Sequence, residues 1–103
     1  MWSFRNAKVI WSESASRNLI EAHSYLQGYS PDAANRAVLT IRSRVNMLLN
    51  YPRSGRIAST SKVDQRELII PFGSSGYIAL YSIQADDIVI HALRHQKQAG
   101  FSE

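Results

Sequence analysis

The sequence has no cysteine, few charged residues and no long apolar run. Without Cys, a disulfide scaffold and any Cys-ligated zinc or iron–sulfur site are excluded. No apolar segment approaches the ~18 residues that a membrane-spanning helix requires, and the first residues lack the apolar stretch of a signal peptide. We therefore expect a cytoplasmic protein that does not associate with membranes.

The charged fraction is only 19%, which is lower than the fraction in polybasic tails that bind nucleic acids. Lys and Arg outnumber Asp and Glu by 12 to 8, and the formal net charge of +4 predicts a mild attraction to acidic partners. Hydrophobic residues make up 45% of the chain, which argues against disorder. The length of 103 residues predicts a single domain over residues 1–103.

The first part of the sequence predicts a short strand and a helix. Alternating apolar residues predict a strand over residues 7–11, with Val9 and Trp11 on one face. Ser12 is suited to cap the following helix, and Gly28 is suited to end it in the left-handed conformation that glycine adopts readily. The apolar residues of this helix have the spacing of one helical face: Ala15, Leu19, Ala22 and Leu26.

A second helix is predicted over residues 31–50. Ser30 is suited to cap it, Pro31 to its first position and Asp32 to its first turn, while Pro52 ends it. Because few residues separate the two helices, we expect them to form an antiparallel hairpin. The buried stripe of the second helix is predicted to consist of Ala34, Ala37, Val38, Ile41, Val45, Leu48 and Leu49.

The remaining residues predict a loop followed by three strands. Residues 51–64 are interpreted as a loop because they contain Pro52, Gly55 and several Ser and Thr residues. Short turns between the strands predict an antiparallel meander. The predicted fold is therefore α+β, in the order β-α-α-β-β-β, with a helical hairpin packed on a small antiparallel sheet and the first strand at an edge. The three strands cover residues 66–70, which Pro71 closes, residues 77–83 and residues 88–93.

The sequence predicts neither a metal ion nor a small-molecule cofactor. Residues 73–76 lack the glycine spacing, the Lys-Ser/Thr pair and the following helix of a phosphate-binding loop, so we interpret them as a hairpin turn. His91 and His95 are four residues apart, but they lie in a predicted strand without a nearby acidic cluster.

One basic group is predicted to lie together at the end of the sheet. Arg66 begins one strand, Tyr81 lies on the next, and Arg94 with His95 ends the last. Cleavage of a phosphodiester by the ribose 2′-hydroxyl needs a base, a proton donor and a cation over the phosphate, and His, Tyr and Arg can fill these roles without a metal. The alternative interpretation is that the Arg and His side chains are solvated strand ends and that Tyr81 belongs to the core.

A second basic group lies on the predicted second helix and the loop after it. Its members do not form the single stripe of a helix that reads a nucleic-acid groove. They are interpreted either as an ordinary solvated face or as a docking surface for an acidic protein segment. These residues are Arg36, Arg42, Arg44, Arg53 and Arg56.

A family resemblance is carried by short segments that span nearly the whole chain. They are Val9-Ile10-Trp11-Ser12, Ser30-Pro31, Tyr51-Pro52 with Gly55-Arg56, Arg66-Glu67-Leu68, Gly76-Tyr77 with Leu80-Tyr81, and Arg94-His95-Gln96. In this order and spacing, the chain resembles the RelE/ParE family of bacterial toxins from type II toxin–antitoxin modules. The resemblance implies a growth-inhibiting toxin, associated with plasmid stabilization, that forms a hetero-oligomer with a cognate antitoxin encoded beside it.

The resemblance implies two possible activities, because members of this family act in different ways on one fold. RelE-like members cleave messenger RNA at the ribosome; here Arg66 would hold the phosphate and His95 would be the general acid or base, with Tyr81 or Arg56 in support. ParE-like members inhibit DNA gyrase and need no cleavage residues of their own. A degenerate, non-toxic module that only binds its antitoxin is a third possibility.

The sequence departs from the RelE-like pattern. Glu67 is expected on the face opposite Arg66, and the following strand brings tyrosines rather than cations to the centre of the sheet. The helical hairpin and residues 52–56 are closer to ParE-like members, although His95 lies where some ribosome-dependent members have a catalytic His. We therefore favour DNA gyrase over the ribosome and messenger RNA as the target.

Overall fold

The computed structural model describes residues 6–58, 64–98 and 100–101. Two helices, α1 (Glu13–Gln27) and α2 (Pro31–Asn46), cover one face of a five-stranded sheet, and a 3-10 helix follows α2 at Met47–Leu49. The strand order is β1-β5-β4-β3-β2, so β1 lies at an edge as predicted. The predicted α+β fold is confirmed. The strands are β1 (Val9–Trp11), β2 (Arg56–Ile57), β3 (Gln65–Phe72), β4 (Ser75–Gln84) and β5 (Asp87–His95).

The sheet differs from the prediction in two respects. It is mixed rather than antiparallel, because β1 runs parallel to β5, with Val9 opposite Ile88. β2 lies inside the predicted loop 51–64 and pairs antiparallel with β3. A strand of two residues is too short to produce a detectable alternation in the sequence.

Both helices begin at the predicted serines. The Oγ of Ser12 accepts a hydrogen bond from the Ala15 amide at 3.0 Å, and the Oγ of Ser30 accepts one from the Ala33 amide at 3.2 Å. The left-handed conformation predicted for Gly28 is wrong, because its φ is −65° and its ψ is −21°. The chain instead stays right-handed there while the amides of residues 29 and 30 both donate to the Leu26 carbonyl.

The main core lies between the helices and the sheet. Most of the predicted α2 stripe is buried, but Leu49 is wrong, because its side chain is 38% exposed while the neighbouring Leu48 is fully buried. The chain tightens into the 3-10 helix after Asn46, and this change of helical period turns Leu49 outward. The largest fully buried side chains are Tyr81, Ile41, Leu48, Ile70, Ile88, Ile90 and Val45.

The edge of β3 continues beyond its short partner β2. Pro71 does not close β3 as predicted, because it lies inside the strand and pairs with Gly76 of β4. A proline is tolerated here since its missing N–H falls on the side that no strand covers. On the same edge, the Arg44 guanidinium donates to the Ile69 carbonyl at 3.1 Å. Together these two residues block the addition of another strand.

The opposite face of the sheet, called the outer face below, carries a second and smaller core. It consists of Ala58, Leu80 and Ala92, against which Phe101 packs. A β-bulge at His91 of β5 interrupts the pairing of β4 and β5 between Leu80 and Tyr81. None of the helices in the described ranges is long and apolar enough to cross a membrane.

Candidate functional site

The Tyr81 side chain is fully buried and holds the loop that follows α2. Its hydroxyl donates to the Pro52 carbonyl at 2.7 Å and accepts from the Gly55 amide at 2.9 Å. Burial raises the pKa of the Tyr81 phenol, while the Gly55 hydrogen bond and the nearby cations Arg66 and Arg53 act against this rise. A buried hydroxyl with both partners inside the protein has no free group to offer to a substrate.

Arg66 supports the same loop from the neighbouring strand, opposite Tyr81 in the β3–β4 register. Its Nη1 donates to the Gly55 carbonyl at 2.9 Å and, over a longer 3.3 Å, to the Arg53 carbonyl. Arg66 therefore satisfies backbone acceptors of the protein itself.

Arg56 lies on β2 opposite Glu67, on the outer-face side of the sheet. Its Nε donates to a Glu67 carboxylate oxygen at 2.9 Å. Glu67 and Arg66 are successive residues of β3, so their side chains point to opposite faces, as predicted. The charge of Arg56 is thus already paired on a different face from Arg66.

His95 lies far from Arg66 and Tyr81. It pairs with Tyr77 on β4, whereas Arg66 pairs with Tyr81 four residues further along the same strand. At the ~3.3 Å rise of a strand, these rows are about 13 Å apart. The prediction that Arg66, Tyr81 and His95 meet at one end of the sheet is therefore wrong: neighbouring antiparallel strands place the start of β3 and the end of β5 at opposite ends.

The imidazole of His95 has an ordered environment of its own. Its ring meets the Tyr77 ring edge to face, with centroids 5.4 Å apart, and its Nδ1 accepts from the Lys97 amide at 3.2 Å. A neutral His95 therefore carries its proton on Nε2. Burial raises the pKa of the adjacent Tyr77 phenol.

Arg94 fixes the C-terminal tail on the outer face. Its guanidinium lies 4.9 Å from the centroid of the Phe101 ring and donates to the carbonyls of Gln96 and Gln98. The centre of the outer face, at Leu80 and Ala92, is apolar. The tail held by Arg94 places Phe101 over it.

Three of the five arginines predicted as a partner surface have an internal partner, and two have none in the described ranges. Arg36 forms an ion pair with Asp32 at 2.9 Å, Arg44 donates to a carbonyl at the β3 edge, and Arg56 is paired with Glu67. In the described ranges, the side chains of Arg42 and Arg53 have no hydrogen bond or ion pair to another residue. Both side chains are exposed.

A groove of about 730 Å³ lies between α1 and the end of β5. At its floor, the Asn18 Oδ1 accepts from the Leu93 amide at 3.0 Å, beyond the point where β1 stops pairing with β5. Tyr25, His95 and Lys97 also line this groove. The sequence did not predict this role of Asn18, because a polar residue on a helix carries no signal that it completes a strand edge.

A second polar contact that the sequence did not predict lies at the β-bulge. The Oγ of Ser82 is 2.7 Å from the Nε2 of His91, and the Gln84 side chain donates to the same Oγ. Ser82 is buried, and the bulge turns His91 towards it. The only hint in the sequence is that Ser82 interrupts the otherwise apolar run of residues 77–83 in β4.

Comparisons with known proteins agree with this architecture. A family model described as ParE toxin of type II toxin-antitoxin system, parDE, matches residues 9–100. Toxin RelE3 from Caulobacter vibrioides is 36% identical over 81 residues, covering 79% of this chain and 85% of that protein. Toxin RelE2 from the same organism is 30% identical over 90 residues, covering 85% of this chain and 91% of that protein.

A chain of the chromosomal ParDE TA system from P. aeruginosa shares the fold, with a TM-score of 0.70 and 20% sequence identity. The similarity covers 88% of this chain and 97% of that chain. The order of elements, the match along residues 9–100 and the similar toxins lead to one assignment. The chain belongs to the family of ParE toxins of type II toxin–antitoxin systems.

Proposed function

We propose that this toxin inhibits DNA gyrase without cleaving nucleic acid, and that it acts in the cytoplasm and stabilises a plasmid. The observation that carries this proposal is the composition of the outer face. Leu80 and Ala92 occupy its centre under Phe101, so a phosphodiester there would meet apolar groups. A ribonuclease of this fold would need cations and a proton donor on an accessible surface.

The contacts of the four residues considered for cleavage support the same proposal. Tyr81 and Arg66 bind the backbone of one loop, and Arg56 binds Glu67. His95 is half-buried and lies four residues of β4 away from the Arg66–Tyr81 pair, so general acid–base chemistry at His95 would lack the phosphate clamp that Arg66 was predicted to supply.

The toxin–antitoxin family implies a cognate antitoxin as partner. We propose that an acidic segment of the antitoxin binds Arg42 and Arg53, the two members of the predicted surface whose side chains make neither a hydrogen bond nor an ion pair in the described ranges. The net charge of +4 would favour the approach of such a segment. Substituting either arginine by Glu should weaken the complex, while Arg36→Glu, which breaks an internal pair, serves as the control.

A supercoiling assay tests the proposed target. Purified toxin is titrated into gyrase with relaxed plasmid, and supercoiling should stop with wild-type toxin and equally with His95→Ala, because no proton transfer is required. Supercoiling that continues at excess toxin would reject the proposal. Messenger RNA fragmentation in induced cells that disappears with His95→Ala would instead support a ribonuclease, and harmless expression without the antitoxin would support a degenerate module.

A further inference from the structure

We propose that the outward side chains of residues 51–57 form the surface by which the toxin contacts its cellular target, and that this target offers an apolar pocket with an acidic rim. The residues that make this contact are Tyr51, Arg53 and Ile57. The inference rests on the assignment of the chain as a toxin, and it deepens the proposed function by naming the contact surface.

The 51–57 loop is held in one conformation by buried contacts. Tyr81 binds the Pro52 carbonyl and the Gly55 amide, and Arg66 binds the Gly55 carbonyl from the other side. At the start of the loop, the Tyr51 amide donates to the Met47 carbonyl at 3.0 Å. Two large side chains of the sheet, Tyr81 and Arg66, therefore hold in place a segment that contributes almost nothing to the main core.

All of these contacts use backbone atoms of the loop. The side chains of Tyr51 and Ile57 are 65% and 67% exposed, and Arg53 is exposed without a partner in the described ranges. The fixed backbone therefore presents a tyrosine, an arginine and an isoleucine to solvent on one short segment.

This combination is typical of a binding surface rather than of a structural loop. Exposed apolar side chains bring no folding stability, whereas Tyr and Arg are among the residues that contribute most to protein interfaces. A loop that is already ordered loses little conformational entropy on binding, so the contacts that fix its backbone favour affinity. The cation of Arg53, in a chain of net charge +4, selects an acidic rim on the partner.

We assign this surface to the target rather than to the antitoxin. Tyr51 and Ile57 present apolar groups that an apolar pocket would accept, whereas only Arg53 is shared with the proposed antitoxin surface. An antitoxin that binds Arg42 and Arg53 would then cover one margin of the loop and exclude the target. Neutralisation would follow from overlap at Arg53, without any change in the fold.

Growth arrest on expression without antitoxin tests this inference whatever the target is. The toxin level that gives half-maximal arrest should rise at least tenfold for Tyr51→Ala and for Ile57→Ser. The matched controls are Ile20→Ala and Leu39→Ser, which are 65% and 67% exposed on the helices and should remain as toxic as the wild type.

Binding of the product of the adjacent gene, the cognate antitoxin, separates surface loss from unfolding. The loop variants should bind it within threefold of the wild type and melt at the same temperature. Loop variants that stay fully toxic would overturn the inference, and so would loop variants that lose toxicity only together with tenfold weaker antitoxin binding or a lower melting temperature. Wild-type toxin that arrests growth but leaves gyrase active would overturn the gyrase target alone, since the toxicity of the variants still decides the role of the loop.

Discussion

Gly55 lies against the Tyr81 ring so closely that no side chain fits between them. A Cβ at position 55 would be 2.6 Å from the Tyr81 Cε1 and 2.8 Å from the Glu67 carbonyl oxygen. The Gly55 amide donates to the Tyr81 hydroxyl in the same contact. The glycine in the segment Pro52-Arg53-Ser54-Gly55-Arg56 is therefore required by close approach, and its backbone conformation is not left-handed.

We expect Gly55→Ala to destabilise the protein by about 1–3 kcal/mol, because the added methyl group must displace a buried ring or a strand carbonyl. Equilibrium urea denaturation measures this loss. Gly28→Ala is the matched control: its nearest atom is the Tyr25 carbonyl oxygen at 3.5 Å and its backbone is right-handed, so stability should stay equal or rise by about 0.4–1 kcal/mol. Equal losses in the two variants would contradict the role of close packing at Gly55.

Removal of the Tyr81 hydroxyl tests the polar half of the same contact. In Tyr81→Phe, the Pro52 carbonyl and the Gly55 amide both lose their partner, and we expect the free energy of unfolding to fall by about 1–3 kcal/mol. Tyr25→Phe removes the hydroxyl of an exposed tyrosine and should leave stability unchanged within about 0.5 kcal/mol. An unchanged free energy of unfolding in Tyr81→Phe would mean that water replaces the hydroxyl in this buried position.

The Tyr81 phenol also predicts how stability depends on alkaline pH. Burial raises its pKa in the folded state above the ordinary value of 10.0. Above pH 10 the unfolded chain therefore loses this proton before the folded chain does, and stability decreases with rising pH until the folded phenol ionises as well. Below pH 10 the Tyr81 phenol keeps its proton in both the folded and the unfolded state, so it contributes no dependence of stability on pH. Denaturation curves between pH 9 and 11 should show a smaller loss in Tyr81→Phe than in the wild type, with the remainder due in part to Tyr77, whose pKa is also raised.

The sequence predicted the helices and the three long strands because each has a repeating apolar pattern and a cap or a turn residue. It did not predict β2, because Arg56 and Ile57 form a strand only through pairing with β3. The separation of Arg66 from His95 likewise depends on which ends of antiparallel strands meet, and a list of residue types contains no such information. The roles of Tyr81 and Arg66 were missed for a related reason: both bind backbone atoms, which carry no sequence signature.

The adjacent residues Leu48 and Leu49 test the end of the predicted α2 stripe. Leu48→Ala should cost about 2–5 kcal/mol because its fully buried side chain leaves a cavity, while Leu49→Ala should cost less than about 1 kcal/mol. Thermal and urea unfolding of both variants give the comparison directly. Similar losses would indicate that α2 continues as a regular helix through Leu49 and buries it.

A substitution of Arg66 tests whether its side chain supports the loop or binds a phosphate. Arg66→Lys keeps the positive charge but loses the geometry in which one guanidinium nitrogen reaches the Gly55 and Arg53 carbonyls. If Arg66 supports the loop, the variant should lose about 1–3 kcal/mol of stability, and its toxicity should fall together with that of Tyr81→Phe. Gyrase inhibition should also decrease in both variants, because both changes loosen the segment that presents Tyr51 and Ile57. A lysine variant with wild-type stability and loop protection in hydrogen exchange, but without toxicity, would instead assign Arg66 a direct contact with a phosphate.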